Sequence, residues 1–125
     1  KDNPMYARMV TSRVKPHKLD EMTAFYRNTL RPLLNCQPGC KGFFVLNNLE
    51  AQEEVTITFW ENLTDMEGFN VNLAPLKDKI ASLLAEVPEV QILRVAVPED
   101  VHPLGMVSLS EAALGLRTED PFSRS

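Results

Sequence analysis

Two apolar runs, "FFVLNN" at 43–48 and "VTITFW" at 55–60, are separated by only the six residues "LEAQEE". Both runs are short and rich in aromatic and β-branched residues, which marks them as strands. A parallel pair needs a crossover of a dozen or more residues. Six polar residues allow only a reversal, so the runs form an antiparallel hairpin with "LEAQEE" as its loop. On that reading Glu50, Glu53 and Glu54 are solvated loop carboxylates. Within the second run, Val55, Ile57 and Phe59 fall on one face, and Thr56, Thr58 and Trp60 on the other.

Two amphipathic stretches flank the hairpin. In "KLDEMTAFYRNTLRPLLN" (18–35), Leu19, Met22, Tyr26, Leu30 and Leu33 recur at spacings of three and four. That is the period of a helix with one buried stripe. Pro32 has no N–H and is expected to kink this helix or end its regular part near Arg31. In "ENLTDMEGFNVNLAPLKDKIASLLAEV" (61–87), Met66, Phe69, Leu73, Leu76, Ile80 and Leu83 repeat the pattern. Thr64 is the expected N-cap there, with Glu67 completing a capping box. Pro75 is expected to divide the stretch into a short helix and a longer one. Outer strands are read at "MYARMVTSRV" (5–14) and "VQILRVAV" (90–97).

The order is therefore β-α-β-β-α-β. This is the split βαβ, or ferredoxin-like, pattern: an α+β fold in which a four-stranded antiparallel sheet carries both helices on one face. One domain is expected over 5–97. Residues 98–125 read as a C-terminal extension, with a short helix at 108–116 and a loose tail. The second sheet face should be open, yet the strands are apolar on both sides. Val55, Ile57 and Phe59 oppose Trp60, and Val90, Ile92 and Ala96 oppose Leu93, Val95 and Val97. A sheet with one wet face alternates more cleanly. The open face is thus expected to be buried against a second copy of the chain, as a homodimer.

Charge and composition narrow the function. The net charge of -4 argues against nucleic acid or an anionic membrane as the main partner. No apolar run approaches the ~20 residues that span a bilayer. No phosphate-binding loop, dinucleotide fingerprint, H-E-x-x-H or serine nucleophile elbow is present. The chain has two cysteines, too few for a disulfide scaffold, so a reducing, cytoplasmic location is expected. Cys36 and Cys40 bracket a Pro-Gly turn in "CQPGCKG". A zinc site wants four ligands, and a redox pair wants two intervening residues where this chain has three. Cys36 is expected to pack at the helix end and Cys40 to open the next strand, with a disulfide the lesser alternative.

The segments "MYARMVTSRVKPHKLDEMTAFYRNTLRPLL", "PGCKGFFVLNN" and "EVTITFWENLTDMEGF" resemble the antibiotic biosynthesis monooxygenase (ABM) domain. The resemblance rests on the start of the first strand, on Pro38, Gly39, Gly42 and Phe43, and on Thr58 to Asn62 ahead of a capped helix. It covers roughly 5–97 and implies a dimeric α+β barrel. Family members include small oxygenases that act on polycyclic phenols without metal or flavin, proteins that degrade haem, and proteins that handle small signalling molecules.

The resemblance implies that Trp60 lines a substrate pocket, where its ring would supply stacking area and an N–H donor. Core packing explains a tryptophan there equally well. The haem-degrading branch has a histidine about ten residues later, where this chain has Asn70, so haem is disfavoured. The quinone-forming branch has an asparagine where this chain has Thr56. Cofactor-free oxygenation needs an anion-stabilising donor or a base in a dry pocket. Thr56 and Arg8 join Trp60 as candidate catalytic residues; Asn47, Tyr26, Asn70, Arg94 and Trp60 are candidate substrate contacts. His17 reads as a solvated turn residue, and His102 falls in the extension. The expected activity is oxygenation of a flat, electron-rich phenolic or polycyclic molecule, with molecular oxygen as co-substrate and no bound cofactor or metal. The alternative is an ABM-like protein that binds a small ligand without chemistry.

Overall fold

The computed structural model describes residues 4–101. His102, the helix expected at 108–116 and the expected tail lie outside the described residues. The elements are β1 (Tyr6–Arg13), α1 (Leu19–Phe25), a π-helical turn (Tyr26–Leu30), α2 (Arg31–Asn35), β2 (Cys40–Asn48), β3 (Glu53–Trp60), α3 (Leu63–Leu73), a 3₁₀ turn (Ala74–Leu76), α4 (Lys77–Leu83) and β4 (Glu89–Arg94). The four strands form one sheet in the order β2-β3-β1-β4, with every pairing antiparallel. This is the ferredoxin-like α+β arrangement.

Strand register sorts the side chains. Tyr6 pairs with Trp60, Arg8 with Thr58, Val10 with Thr56 and Ser12 with Glu54. Side chains of paired residues share a face, so these four pairs make one row each beneath the helices. Phe43, Val45 and Asn47 join the rows from β2, beyond a bulge between Cys40 and Gly42. Two groups of buried residues fill the space above. Val14, Leu19, Met22, Leu83 and Leu84 pack at one end, and Tyr26, Leu34, Trp60, Met66 and Phe69 at the other. The opposite sheet face presents Ile57, Phe59, Phe44, Leu46 and Leu93. Phe44 and Leu46 are 43% and 52% exposed.

Several local expectations are corrected. The hairpin loop is shorter than "LEAQEE": Glu53 and Glu54 belong to β3 and pair with Asn48 and Asn47. Of the two outcomes expected at Pro32, an end near Arg31 is not the one found: the helix is interrupted ahead of it and continues. Its hydrogen bonding widens over Tyr26–Leu30, where the Arg31 N–H donates to the Tyr26 carbonyl, and it then resumes with Pro32 in the first turn of α2. The absent proline N–H falls where a fresh first turn needs no donor. The N-cap of α3 is Asn62, not Thr64. The Asn62 Oδ1 accepts from the Asp65 N–H at 2.8 Å, and its amide donates to Asp65 Oδ2 at 3.1 Å. Pro75 does divide the second helical stretch, but the longer piece comes first. Finally, β4 stops at Arg94 rather than Val97, with one further bond from the Val95 N–H to the Met5 carbonyl.

The Pro38-Gly39 turn ties these parts together. Gly39 has φ +79°, a conformation glycine adopts without strain. A Cβ there would sit 2.7 Å from the Asp65 Cβ. The Gly39 carbonyl also accepts from the Glu61 N–H at 2.7 Å. The turn thus packs against the start of α3 and fixes where β3 hands over to that helix. Cys36 stands at the end of α2 but is exposed there rather than packed, and Cys40, half-buried, opens β2; both are free thiols.

Candidate functional site

The row of β3 that faces the helices carries Glu54, Thr56, Thr58 and Trp60. Between this row and the helices lies a cavity of about 440 Å³. Its walls are mainly apolar, with Met22, Leu30, Leu34, Phe69, Leu73 and Ile80 among them. The polar groups that reach it are few: Arg8, Ser12, Thr56, Thr58, Tyr26 and Lys77. A small apolar chamber with a handful of placed polar groups is what a small-molecule site requires.

Arg8 is the most informative of them. It projects from the central strand β1, and burial lowers the pKa of its guanidinium. Among the described residues no carboxylate lies within ion-pair distance of it. A partly dehydrated cation without a counterion is poorly solvated. It favours an anion or an electron-rich oxygen arriving in the chamber. Tyr26 stands beside the cavity on the π-helical turn, with its ring edge-on to Phe43 at 6.3 Å. Burial pushes its phenol pKa up to about 12, against a smaller opposing effect of Arg31. It is a neutral hydrogen-bond donor at ordinary pH.

Trp60 is fully buried and lines neither the cavity nor the cleft described next. Its ring lies 5.5 Å from that of Phe69, and its Nε1–H donates to the Thr58 hydroxyl at 2.7 Å. Core packing therefore describes Trp60, and its tie to the chamber runs through Thr58, which is a wall residue. Thr56 and Arg8 reach the cavity. Asn47 does not; it lines a second, more open cleft of about 900 Å³ between the first helical layer and the edge strand β2. Tyr26 and Leu34 belong to both walls. Asn70 on α3 and exposed Arg94 at the end of β4 line neither. Exposed His17 sits in the turn before α1 with φ +65°.

Glu54 was not expected here. As a member of β3 it points under the helices and is 1% exposed. Its Oε2 accepts from the Thr23 hydroxyl at 3.0 Å and, with the Asn47 amide oriented to satisfy both neighbours, from Asn47 at 3.1 Å. Its Oε1 has no partner among the described residues. Burial pushes the Glu54 pKa up, and the Thr23 hydrogen bond offsets part of that rise. The available signal was parity. Glu54 is in phase with Thr56, Thr58 and Trp60 once the strand is extended by two residues.

The comparisons with known proteins agree with this architecture. The family model described as antibiotic biosynthesis monooxygenase matches residues 5–72. An uncharacterised protein of Mycobacterium tuberculosis strain H37Rv is 27% identical over 99 residues, which is 79% of this chain and 42% of that protein. The chain thus spans less than half the length of that curated relative. Among solved structures, a Streptomyces coelicolor monooxygenase in complex with nanaomycin D aligns with TM-score 0.63 and 16% identity, covering 73% of this chain and 87% of that one. SnoaB, a cofactor-independent oxygenase from Streptomyces nogalater, crystallised in a mutant form, aligns with TM-score 0.64 and 14% identity, covering 74% and 93%. At such identities the two structures establish the fold alone. With the family model matching more than half of its length, the chain belongs to the antibiotic biosynthesis monooxygenase family.

Proposed function

We propose that this chain is a cofactor-independent oxygenase that takes a small, flat, electron-rich phenolic or polycyclic molecule into the helix–sheet cavity. The observation that carries the reading is Arg8, a half-buried guanidinium without a counterion among the described residues, on the wall of a mainly apolar chamber. Such a group stabilises an anion much better in a dry site than in water. The substrate loses a proton to become an electron-rich anion, held by Arg8. Its carbon attacks O₂; one oxygen atom stays on that carbon as a carbonyl, and the other leaves as water with the two hydrogens the carbon has lost. All the electrons come from the substrate, so no bound redox group is needed. The Thr56 hydroxyl and neutral Tyr26 orient the phenolic oxygens. Trp60 acts as a positioning residue, since its N–H fixes the Thr58 hydroxyl.

The test is oxygen uptake with 1,8-dihydroxyanthrone as probe. Wild type is expected to consume one O₂ per probe, and Arg8→Met to lose about 10²-fold in kcat. Saturable binding without oxygen uptake would favour the second reading, a ligand-binding protein without chemistry. That reading is favoured by Thr56, which stands where the quinone-forming branch has an asparagine. Absence of both binding and uptake would dismiss the two together.

The same reading includes a homodimer through the open sheet face. Support comes from the exposure of Phe44, Leu46 and Leu93 there, in a patch too apolar for a free surface. Sedimentation at micromolar concentration is expected to give twice the chain mass, and Leu46→Lys to give the single chain. A wild-type monomer at that concentration would end the dimer proposal.

A further inference from the structure

The second cleft carries chemistry that the oxygenase reading does not use. It runs between the first helical layer and the edge strand β2, and its two ends differ. Thr23, Arg27 and Arg31 recur every four residues along one wall, a spacing of about 6 Å between successive positions. Neither Arg27 nor Arg31 has an ion-pair partner among the described residues. The floor between them and β2 is Tyr26 and Phe43, in edge-to-face contact. At the other end, Thr23 and Asn47 line the cleft and together grip Glu54 Oε2. Behind them the buried Oε1 is left without a hydrogen bond.

A buried carboxyl with one satisfied and one empty oxygen is a costly arrangement. Replacing the residue by an apolar one of similar size would remove the cost. Glu54 does not itself line the cleft, but Asn47 does and is the exposed member of the pair, so a donor that displaces the Asn47 amide reaches the carboxyl from the cleft. We propose that this cleft is a ligand site for an aromatic organic anion that carries a hydroxyl or amine opposite its carboxylate. The carboxylate meets Arg27 and Arg31, the ring lies on Tyr26 and Phe43, and the hydroxyl or amine takes the place of the Asn47 amide as donor to Glu54 Oε2. Lys41 lies at the far mouth but is engaged by Glu61 at 3.8 Å. The site shares the Tyr26 and Leu34 walls with the chamber, but its two ends, Arg27 with Arg31 and Glu54 with Asn47, take no part in the oxygenase reading.

Three probes divide the contributions: 4-hydroxybenzoate has both end groups, benzoate lacks the hydroxyl and phenol lacks the carboxylate. Titrations followed by amide NMR shifts are expected to show 4-hydroxybenzoate binding at least about tenfold more tightly than either of the others, with shifts centred on β2 and the first helical layer. In Glu54→Leu, 4-hydroxybenzoate should fall to the affinity of benzoate. In the Arg27→Ala, Arg31→Ala double variant it should fall to that of phenol. Should Glu54→Leu fail to fold, Glu54→Gln keeps the shape and one acceptor and is expected to lose only part of the hydroxyl preference. Arg8→Met should leave the 4-hydroxybenzoate shifts at Arg27, Arg31, Phe43 and Asn47, which line the cleft and not the chamber, unchanged. Equal affinities for the three probes, shifts confined to the chamber, or no binding up to about 10 mM would overturn the proposal.

Discussion

Two ends of one row on β3 are buried to the same degree and treated oppositely. At one end Trp60 is enclosed by Phe69, Met66, Leu34 and Tyr26, and its only polar side-chain atom is matched by Thr58. At the other end Glu54 is as deeply buried, yet it keeps a raised pKa and an oxygen with no partner. Burial alone therefore does not tell a satisfied polar side chain from an unsatisfied one. The difference lies in whether each polar atom has been satisfied, and Trp60 and Glu54 sit six residues apart on the same strand face.

Substitutions can break that contrast. The largest effect is expected for Trp60→Ala, which should cost about 3–5 kcal/mol in denaturant unfolding, as for other large aromatic truncations in a core. A loss below about 1 kcal/mol would mean that the Trp60 end is not the packed one. Thr58→Val comes next. It strands the indole N–H without an acceptor and should cost about 1–3 kcal/mol, while leaving the packing volume unchanged. Glu54→Gln is smallest and of opposite sign. At pH 8 it should stabilise the fold by about 1 kcal/mol, because the neutral amide avoids the cost of burying an ionised carboxylate.

The last of these depends on pH in a determined direction. Because burial raises the Glu54 pKa, the folded protein holds that proton longer than the unfolded chain does. Its contribution to stability is fully present below the unfolded value of about 4.3 and is lost as pH rises through the folded pKa. A glutamine in its place would mimic the protonated acid and lose nothing across that window. The gain from Glu54→Gln should therefore be absent at pH 4 and present at pH 8. A gain of the same size at both would show that Glu54 does not titrate in the folded state as described.

Much of the fold was legible because hydrophobic period carries it. The stripe Leu19–Met22–Tyr26–Leu30 and the alternation from Val55 to Trp60 each specify an element and its buried face. Pattern was least informative where a polar residue does the burying. Glu54 follows Glu50 and Glu53 in a run of carboxylates, which composition reads as a solvated loop. The three-dimensional reason it is covered is non-local: Thr23 arrives from α1, 31 residues away in sequence. The widened turn at Tyr26–Leu30 was likewise invisible, since Pro32 announces a break but not the register change that precedes it. Of the residues singled out beforehand, Arg8, Thr56 and Tyr26 reach the chamber, whereas Asn70 and Arg94 do not. Strand parity supports the first two, because both fall on the row beneath the helices.

The enclosure of Trp60 has a practical consequence. It is the single tryptophan of the chain, so all indole fluorescence originates at one known position. That indole is shielded from solvent and hydrogen-bonded to a residue of the chamber wall. Any molecule that enters and competes for the Thr58 hydroxyl perturbs the emission, while one that occupies only the outer cleft leaves the indole bond intact. The protein thus carries its own optical gauge of the chamber wall, and no label need be attached to read it.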